Sequence, residues 1–362
     1  MQAKLFYKPE LDALRFFAFL AVLIHHTFPW TPSSYPASLP RFLTGVLAAT
    51  ARAGGYGVDL FFCLSAYLIT CLLIREVNAS GRLAVAAFWI RRSLRIWPLY
   101  FAFVLAAFIA GRFSMSPRLP REYLPAFLCF GANWAFALHG LRDSIVSPLW
   151  SVSVEEQFYL LWPVVLSIVK WKRAASVAWV MLVCALFTRV WLAAHAAGHV
   201  ATWCNTLARL DPIAAGILLA TAPALPQLRP RAAWLAAAGA GLVAIQYAFP
   251  FEAASPWSSV VTYAMVAVCC AAMLQATLGT PLGGGPAAKA LVYGGKISYG
   301  LYVYHYAAIK AVNMVRPAAG FPATFGVAFV LTAVTAVLSY ELFERRFLLL
   351  KRRFTVVESR PI

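Results

Sequence analysis

Glu10-Leu11-Asp12-Ala13-Leu14-Arg15 leads into the apolar run Phe16-Phe17-Ala18-Phe19-Leu20-Ala21-Val22-Leu23-Ile24, which closes on His25-His26. With its flanks the run is long enough to cross a bilayer as a helix, which takes ~20 residues. A helix on a soluble core keeps one apolar stripe and wets the rest, whereas residues 16–24 are apolar all round. No small-residue cleavage site closes the run before Pro29-Trp30-Thr31-Pro32. The expectation is therefore a retained first span, not a secretory leader.

The rest of the chain repeats this pattern. Of its 362 residues, 62% are hydrophobic and only 12% charged, against roughly 45–50% and about 25% in soluble domains. A soluble fold of this length lacks the interior to hide so much apolar surface, and a disordered chain would not carry it. Further apolar windows fall near 56–74, 94–111, 148–169, 174–196, 205–222, 232–249, 257–279, 290–312 and 322–344. Together with 11–29 they predict an all-α polytopic membrane bundle of about ten transmembrane helices. One transmembrane domain is expected over 1–350, with a short basic tail over 351–362. A shorter stretch, 122–138, is broken by Gly131, Asn133 and Trp134 and reads as re-entrant or interfacial.

The formal net charge is +18. In a soluble protein this would point to nucleic acid; in a membrane chain it sets orientation. With the N-terminus inside, the inner loops hold most of the 31 Lys and Arg residues, including Lys8, Arg75, Arg91, Arg92, Lys172, Arg173, Arg345 and Arg346. Both termini are then cytoplasmic, membrane lipid is a partner and nucleic acid is not. The seven cysteines show no metal-ligand spacing, so neither a metal site nor an obligatory disulfide is expected.

Ionisable groups at membrane depth cost ~2.5–3.5 kcal/mol each, so each needs a reason. Arg15 and His26 stand eleven positions apart. At ~100° per residue they fall within ~20° of one helix face, separated by ~16 Å of rise, and His25 is turned ~100° away. Asp12 lies within reach of Arg15. An imidazole on such a face suits general acid–base work. Arg92 and Arg95 are three apart and face one way, beside Arg91, and a guanidinium fork of this kind suits phosphate or pyrophosphate. Glu155 and Glu156 point ~100° apart inside an apolar helix, so they have separate partners, and at least one should line a polar cavity. Asp59, Arg189, Arg209, Asp211, Lys296, His305 and Lys310 are further ionisable residues inside spans. Asp59 is compatible with an outer-surface position, and Glu344-Arg345-Arg346 reads as an end cap.

Five pieces of the sequence together resemble the membrane acyltransferase family 3, the polytopic O-acyltransferases of bacterial surface glycans. They are Leu11-Asp12-Ala13-Leu14-Arg15 with His26, Phe61-Phe62-Cys63-Leu64-Ser65, Arg91-Arg92-Ser93-Leu94-Arg95-Ile96-Trp97-Pro98, Trp150-Ser151-Val152-Ser153-Val154-Glu155-Glu156-Gln157-Phe158-Tyr159, and Ile297-Ser298-Tyr299-Gly300-Leu301-Tyr302. The resemblance implies a multi-pass inner-membrane enzyme that transfers an acyl group, acetyl above all, to a hydroxyl of a carbohydrate or glycolipid acceptor. It implies acyl-CoA as co-substrate, loaded from the cytoplasm, and no tightly bound cofactor. His26 would be essential, as general base or as acyl carrier, with Arg92 and Arg95, joined by Arg91, on the donor's phosphates. Glu155 or Glu156 would orient His26, and Arg15 would stabilise the oxyanion. The sequence departs from the family at Ser65-Ala66, where glycine usually follows the serine, and a Cβ there is expected to narrow the acyl channel. The alternative is a proton-coupled transporter of an anionic or glycan-linked substrate, though no internal repeat is evident. The sequence leaves the acceptor's identity and the oligomeric state open.

Overall fold

The computed structural model describes residues 6–111, 121–223, 228–229, 231–251, 255–317 and 320–354. Among these residues there is no strand. The helices are α1 (Pro9–Thr27), α2 (Arg41–Ala53), α3 (Gly57–Ser80), α4 (Val85–Ala110), α5 (Leu124–Leu128), α6 (Ala132–His139), α7 (Trp150–Val169) and α8 (Ala174–Ala194). They continue as α9 (His199–Trp203), α10 (Leu210–Thr221), α11 (Arg231–Ala248), α12 (Ser258–Thr277), α13 (Pro286–Lys296), α14 (Ser298–Val315), α15 (Phe321–Ser339) and α16 (Arg345–Lys351).

Every apolar window is helical. Six helical stretches are long and apolar enough to cross a membrane by themselves: Arg41–Ser80, Val85–Ala110, Ser147–Val169, Trp171–Ala194, Ser258–Thr277 and Phe321–Lys351. The other windows fall short for local reasons. Helix α1 carries Glu10, Asp12 and Arg15, α10 has 12 residues, and the window 290–312 breaks at Ile297 between α13 and α14. Helix α2 escaped the sequence reading because Arg41, Thr44, Thr50 and Arg52 interrupt its apolar positions.

The molecule's polarity is inside out. On α8, Trp179, Val183 and Phe187 are 61%, 67% and 72% exposed, while Asp59 and Arg209 are fully buried. Such a surface suits lipid, and the chain is a multi-pass membrane protein.

Helix α1 lies at the centre, packed by α13, α3, α14, α2 and α15. Close approach is possible because glycines face it. A Cβ on Gly295 would lie 1.8 Å from the carbonyl oxygen of Asp12, and one on Gly57 would lie 2.4 Å from that of Ala18. Small residues at such crossings are how helices associate in lipid, where no hydrophobic force drives them together.

Two buried ion pairs fix α10. Arg209 donates to Asp59 of α3 at 2.7 Å, its guanidinium 4.2 Å from the centre of the Trp203 ring. Arg189 of α8 grips both carboxylate oxygens of Asp211, one of them at 3.0 Å. Asp59 is thus a core residue rather than a surface one. The stretch 122–138 forms α5 and α6, hinged at Phe130, whose φ is 52°. Its irregular backbone is covered by protein: Gln157 donates to the Phe130 carbonyl at 2.8 Å, and Asn133 to that of Cys204 at 3.0 Å. Glu344 is no solvated cap. It is buried in the π-helical turn Tyr340–Glu344 and accepts from the Ser339 hydroxyl at 3.0 Å. Residues 355–362 of the expected basic tail lie outside the described residues.

Removing one partner of a buried pair strands the other charge, whereas removing both costs far less. Asp59→Leu is expected to destabilise the protein in detergent by about 3–5 kcal/mol, and Asp59→Leu with Arg209→Met to recover most of that. A double variant as unstable as the single one, by thermal melting, would contradict the pairing.

Candidate active site

The basic cluster of α4 divides by direction. Arg91 donates to Glu76 of α3 and to the carbonyl of Phe354, each at 2.7 Å. It ties the chain's last described turn to the bundle and, unlike Arg92 and Arg95, lines neither of the two cavities described next. Arg92 lies 5.5 Å from the centre of the Tyr159 ring. Arg92 and Arg95 make no hydrogen bond and no ion pair with any other described residue.

Both arginines line a cavity together with Arg15, Ser65, Glu155, Tyr159, Tyr299 and Tyr302. The same three arginines also line a second cavity, together with Tyr7, Lys8 and Lys351. They therefore form the neck between the two spaces. Arg15 is braced by Asp12 at 3.2 Å, which also accepts from the Tyr7 hydroxyl at 3.0 Å. The two glutamates part as their helical spacing requires. Glu155 faces the cavity and accepts from the Ser65 hydroxyl at 2.8 Å, and Tyr159 donates to the same serine at 3.1 Å. Glu156 is turned into the core and accepts from the indole of Trp97 at 2.7 Å. The Cβ of Ala66 faces Gly216 of α10 and not the cavity, so it does not narrow the passage.

His26 sits elsewhere. It opens on a vestibule lined also by Trp30, Asp143, Trp150, Phe251 and Tyr306. Its Nδ1 is 3.0 Å from the Val22 carbonyl and 3.3 Å from Nε2 of His305, whose own Nδ1 meets the Tyr302 carbonyl. Neither Glu155 nor Glu156 bonds to His26: Glu155 meets Ser65 and Glu156 meets Trp97. His25 also lines the vestibule, but its Nδ1 meets the Ala51 carbonyl at 3.1 Å, and its ring stacks on Trp30 at 4.5 Å. At the vestibule rim Asp143 accepts from Lys310 at 2.6 Å and from Tyr306 at 2.8 Å. Partial burial pushes the Asp143 pKa up, but these two donors and the Lys310 charge outweigh it and hold the carboxyl below its ordinary range.

Cavity and vestibule meet across Tyr302. Its hydroxyl donates to the Pro148 carbonyl at 2.9 Å and lies 2.7 Å from the Ser151 hydroxyl. Ser151 lines the cavity, and Pro148 lines the vestibule. Sequence reasoning had noted Tyr302 and His305 without assigning them a partner. The sequence signal for His305 was a second imidazole within an apolar helix. Its distance in sequence from His26 hid the contact.

A family model described as an acyltransferase domain matches residues 8–343. A peptidoglycan O-acetyltransferase of Listeria monocytogenes is 31% identical over 51% of this chain and 29% of its own length. A Staphylococcus aureus protein provisionally named as an O-acetyltransferase is 26% identical over 95% of this chain and 58% of its own. A Bacillus subtilis protein provisionally named as a peptidoglycan O-acetyltransferase is 33% identical over 44% and 24%. The chain thus spans about a quarter to little more than half of the length of these relatives. No solved structure matches it.

Unpaired guanidinium groups at a cavity neck are open to an arginine-selective reagent, whereas paired ones in the core are not. Phenylglyoxal is expected to modify Arg92 and Arg95 in the folded protein and to spare Arg189 and Arg209, with pyrophosphate protecting the first two. Peptide mapping by mass spectrometry checks this, and modification of Arg209 ahead of Arg95 would contradict it.

Proposed function

The chain belongs to the acyltransferase family, and from that membership we propose that it is a membrane O-acyltransferase moving an acetyl group from acetyl-CoA to a hydroxyl of a glycan acceptor. The observation that carries the reading is the pair of arginines that line the cavity with no ion pair to any described residue, whereas Arg91, Arg189 and Arg209 each meet a carboxylate. Guanidinium groups so placed call for an anion with fixed oxygens, and a nucleotide's phosphates supply them bidentately. Lys8 and Lys351, in the adjoining space, add positive charge for the same phosphates. Arg15 belongs with this group. It is ~16 Å of helix rise from His26, too far to touch a carbonyl that His26 also serves, so the oxyanion role expected of it is not retained.

The basic inner loops favour donor entry from the cytoplasmic side of the inner membrane, with both termini on that side. From the neck the donor's pantetheine arm, ~15–20 Å by chain reach, extends through the cavity toward Tyr302. The acceptor enters from the vestibule, where the faces of Trp30, Trp150 and Phe251 suit sugar rings. At the boundary the acceptor's hydroxyl oxygen bonds to the thioester carbonyl carbon, and its proton passes to Nε2 of His26. The carbon–sulfur bond breaks as the tetrahedral intermediate collapses, and the proton moves from His26 to the departing thiolate, releasing CoA. The relatives named for peptidoglycan favour a cell-wall or surface glycan as acceptor. A transporter would share the buried Arg and His residues, and family membership is what favours transfer over transport.

Replacing Arg92 and Arg95 together with Ala removes two charge-assisted contacts of about 1.5–3 kcal/mol each. Binding of CoA, measured by calorimetry in detergent, is expected to weaken at least ~10²-fold. His26→Ala is expected to bind donor as the parent protein does but to transfer no acetyl group, and His25→Ala to retain most transfer. Donor binding unchanged in the double arginine variant would leave these residues as topology anchors only.

A further inference from the structure

We infer that His305 is a positioning residue that holds His26 in the tautomer whose Nε2 lone pair faces the vestibule. This rests on the acyl-transfer reading above and assigns the support that the sequence had sought in a glutamate.

The assignment follows from which atoms can donate. A carbonyl oxygen only accepts, so Nδ1 of His305, against the Tyr302 carbonyl, carries a hydrogen. In the neutral ring Nε2 of His305 is then bare and accepts. At the other end, Nδ1 of His26 faces the Val22 carbonyl at 3.0 Å and therefore also carries a hydrogen. That hydrogen is shared between Val22 and the bare Nε2 of His305, 3.3 Å away. The chain of donors runs one way, from His26 through His305 to the Tyr302 backbone. It leaves Nε2 of His26 without a proton and without a protein partner. Turned over, the His26 ring would set a C–H against both acceptors and lose both bonds.

Rigidity supports the same role. His305 is fully buried, edge-on to Phe19 at 6.3 Å and beside the ring of Tyr302 at 5.3 Å. Its ring is fixed before any substrate arrives, and preorganisation of this kind is what a catalytic imidazole requires. In hydrolase triads a carboxylate orients the histidine. Here the third group is a backbone carbonyl reached through a neutral imidazole. Because His305 spans from Tyr302, at the wall between the two spaces, to His26, it also sets the base at the place where donor and acceptor meet.

The test uses the full chain in detergent with two variants and two readouts. His305→Leu removes the acceptor, and His305→Gln returns an amide oxygen close to where Nε2 stood. Acetyl transfer is expected to fall in kcat by on the order of tenfold to a hundredfold in His305→Leu, with KM for acetyl-CoA unchanged. His305→Gln is expected to recover most of the loss. With ¹⁵N-labelled histidine, His26 in the parent protein and in His305→Gln is expected to show a protonated Nδ1 and a bare Nε2, and in His305→Leu a mixture of tautomers. A His26 tautomer unchanged in His305→Leu, or a Gln variant as impaired as Leu, would overturn the inference. The nitrogen signals are independent of turnover. A tautomer change in His305→Leu alongside no acetyl transfer by any of the proteins would uphold the pairing and overturn only the transfer reading.

Discussion

A guanidinium taken out of water costs several kcal/mol unless a carboxylate meets it in good geometry, and the helices of this protein are arranged around that cost. Arg209 meets Asp59, Arg189 meets Asp211, and Arg91 meets Glu76, joining α10 to α3, α8 to α10 and α4 to α3. Arg15 leans on Asp12 within α1. These pairs fix where the helices cross and leave the bundle little freedom to close elsewhere. Against that background Arg92 and Arg95 stand out, since they line a cavity in the same interior and form no ion pair with any described residue. A membrane protein tolerates this where water or a substrate supplies the missing charge, and the proposed site rests on that inference.

The site has two ends because α1 has two ends. Its first turns bring Arg15 to the arginine neck, and its last turn brings His26 to the vestibule. The helix can span both because glycines let its neighbours press against its backbone, with Gly295 at Asp12 and Gly57 at Ala18. Tyr302 stands between the two spaces, braced on Ser151 and Pro148. Two reactants that approach from opposite sides of a bilayer would meet here, with little need for either to cross.

The fold was legible because apolar runs of span length are a strong signal in lipid, where the backbone must bond to itself. The helix α2 was not: Arg52 turns inward and donates to the carbonyls of Trp30 and Gln246, and nothing in the local sequence announces that. Within the site, positions on one helix could be read from periodicity. That is why Arg92 and Arg95 share a face while Glu155 and Glu156 part. Partners on different helices could not be read this way. Asp59 was compatible with the surface until Arg209 arrived from 150 residues away, and Glu155 and Glu156 were matched to His26 by chemical type when the contact belongs to His305. Arg91 was grouped with its neighbours by adjacency, although one position on a helix turns a side chain ~100°.

The central claim is that the unpaired arginines hold a donor's phosphates while its acyl end reaches the wall at Tyr302. A structure of the protein by cryo-electron microscopy with an unreactive thioether analogue of acetyl-CoA addresses this directly. The account predicts density for the phosphates against Arg92 and Arg95 and for the acyl end within contact of Tyr302 and on the side facing His26. Phosphate density in the vestibule, or an acyl end pointing away from Tyr302 with the arginines unoccupied, would contradict it.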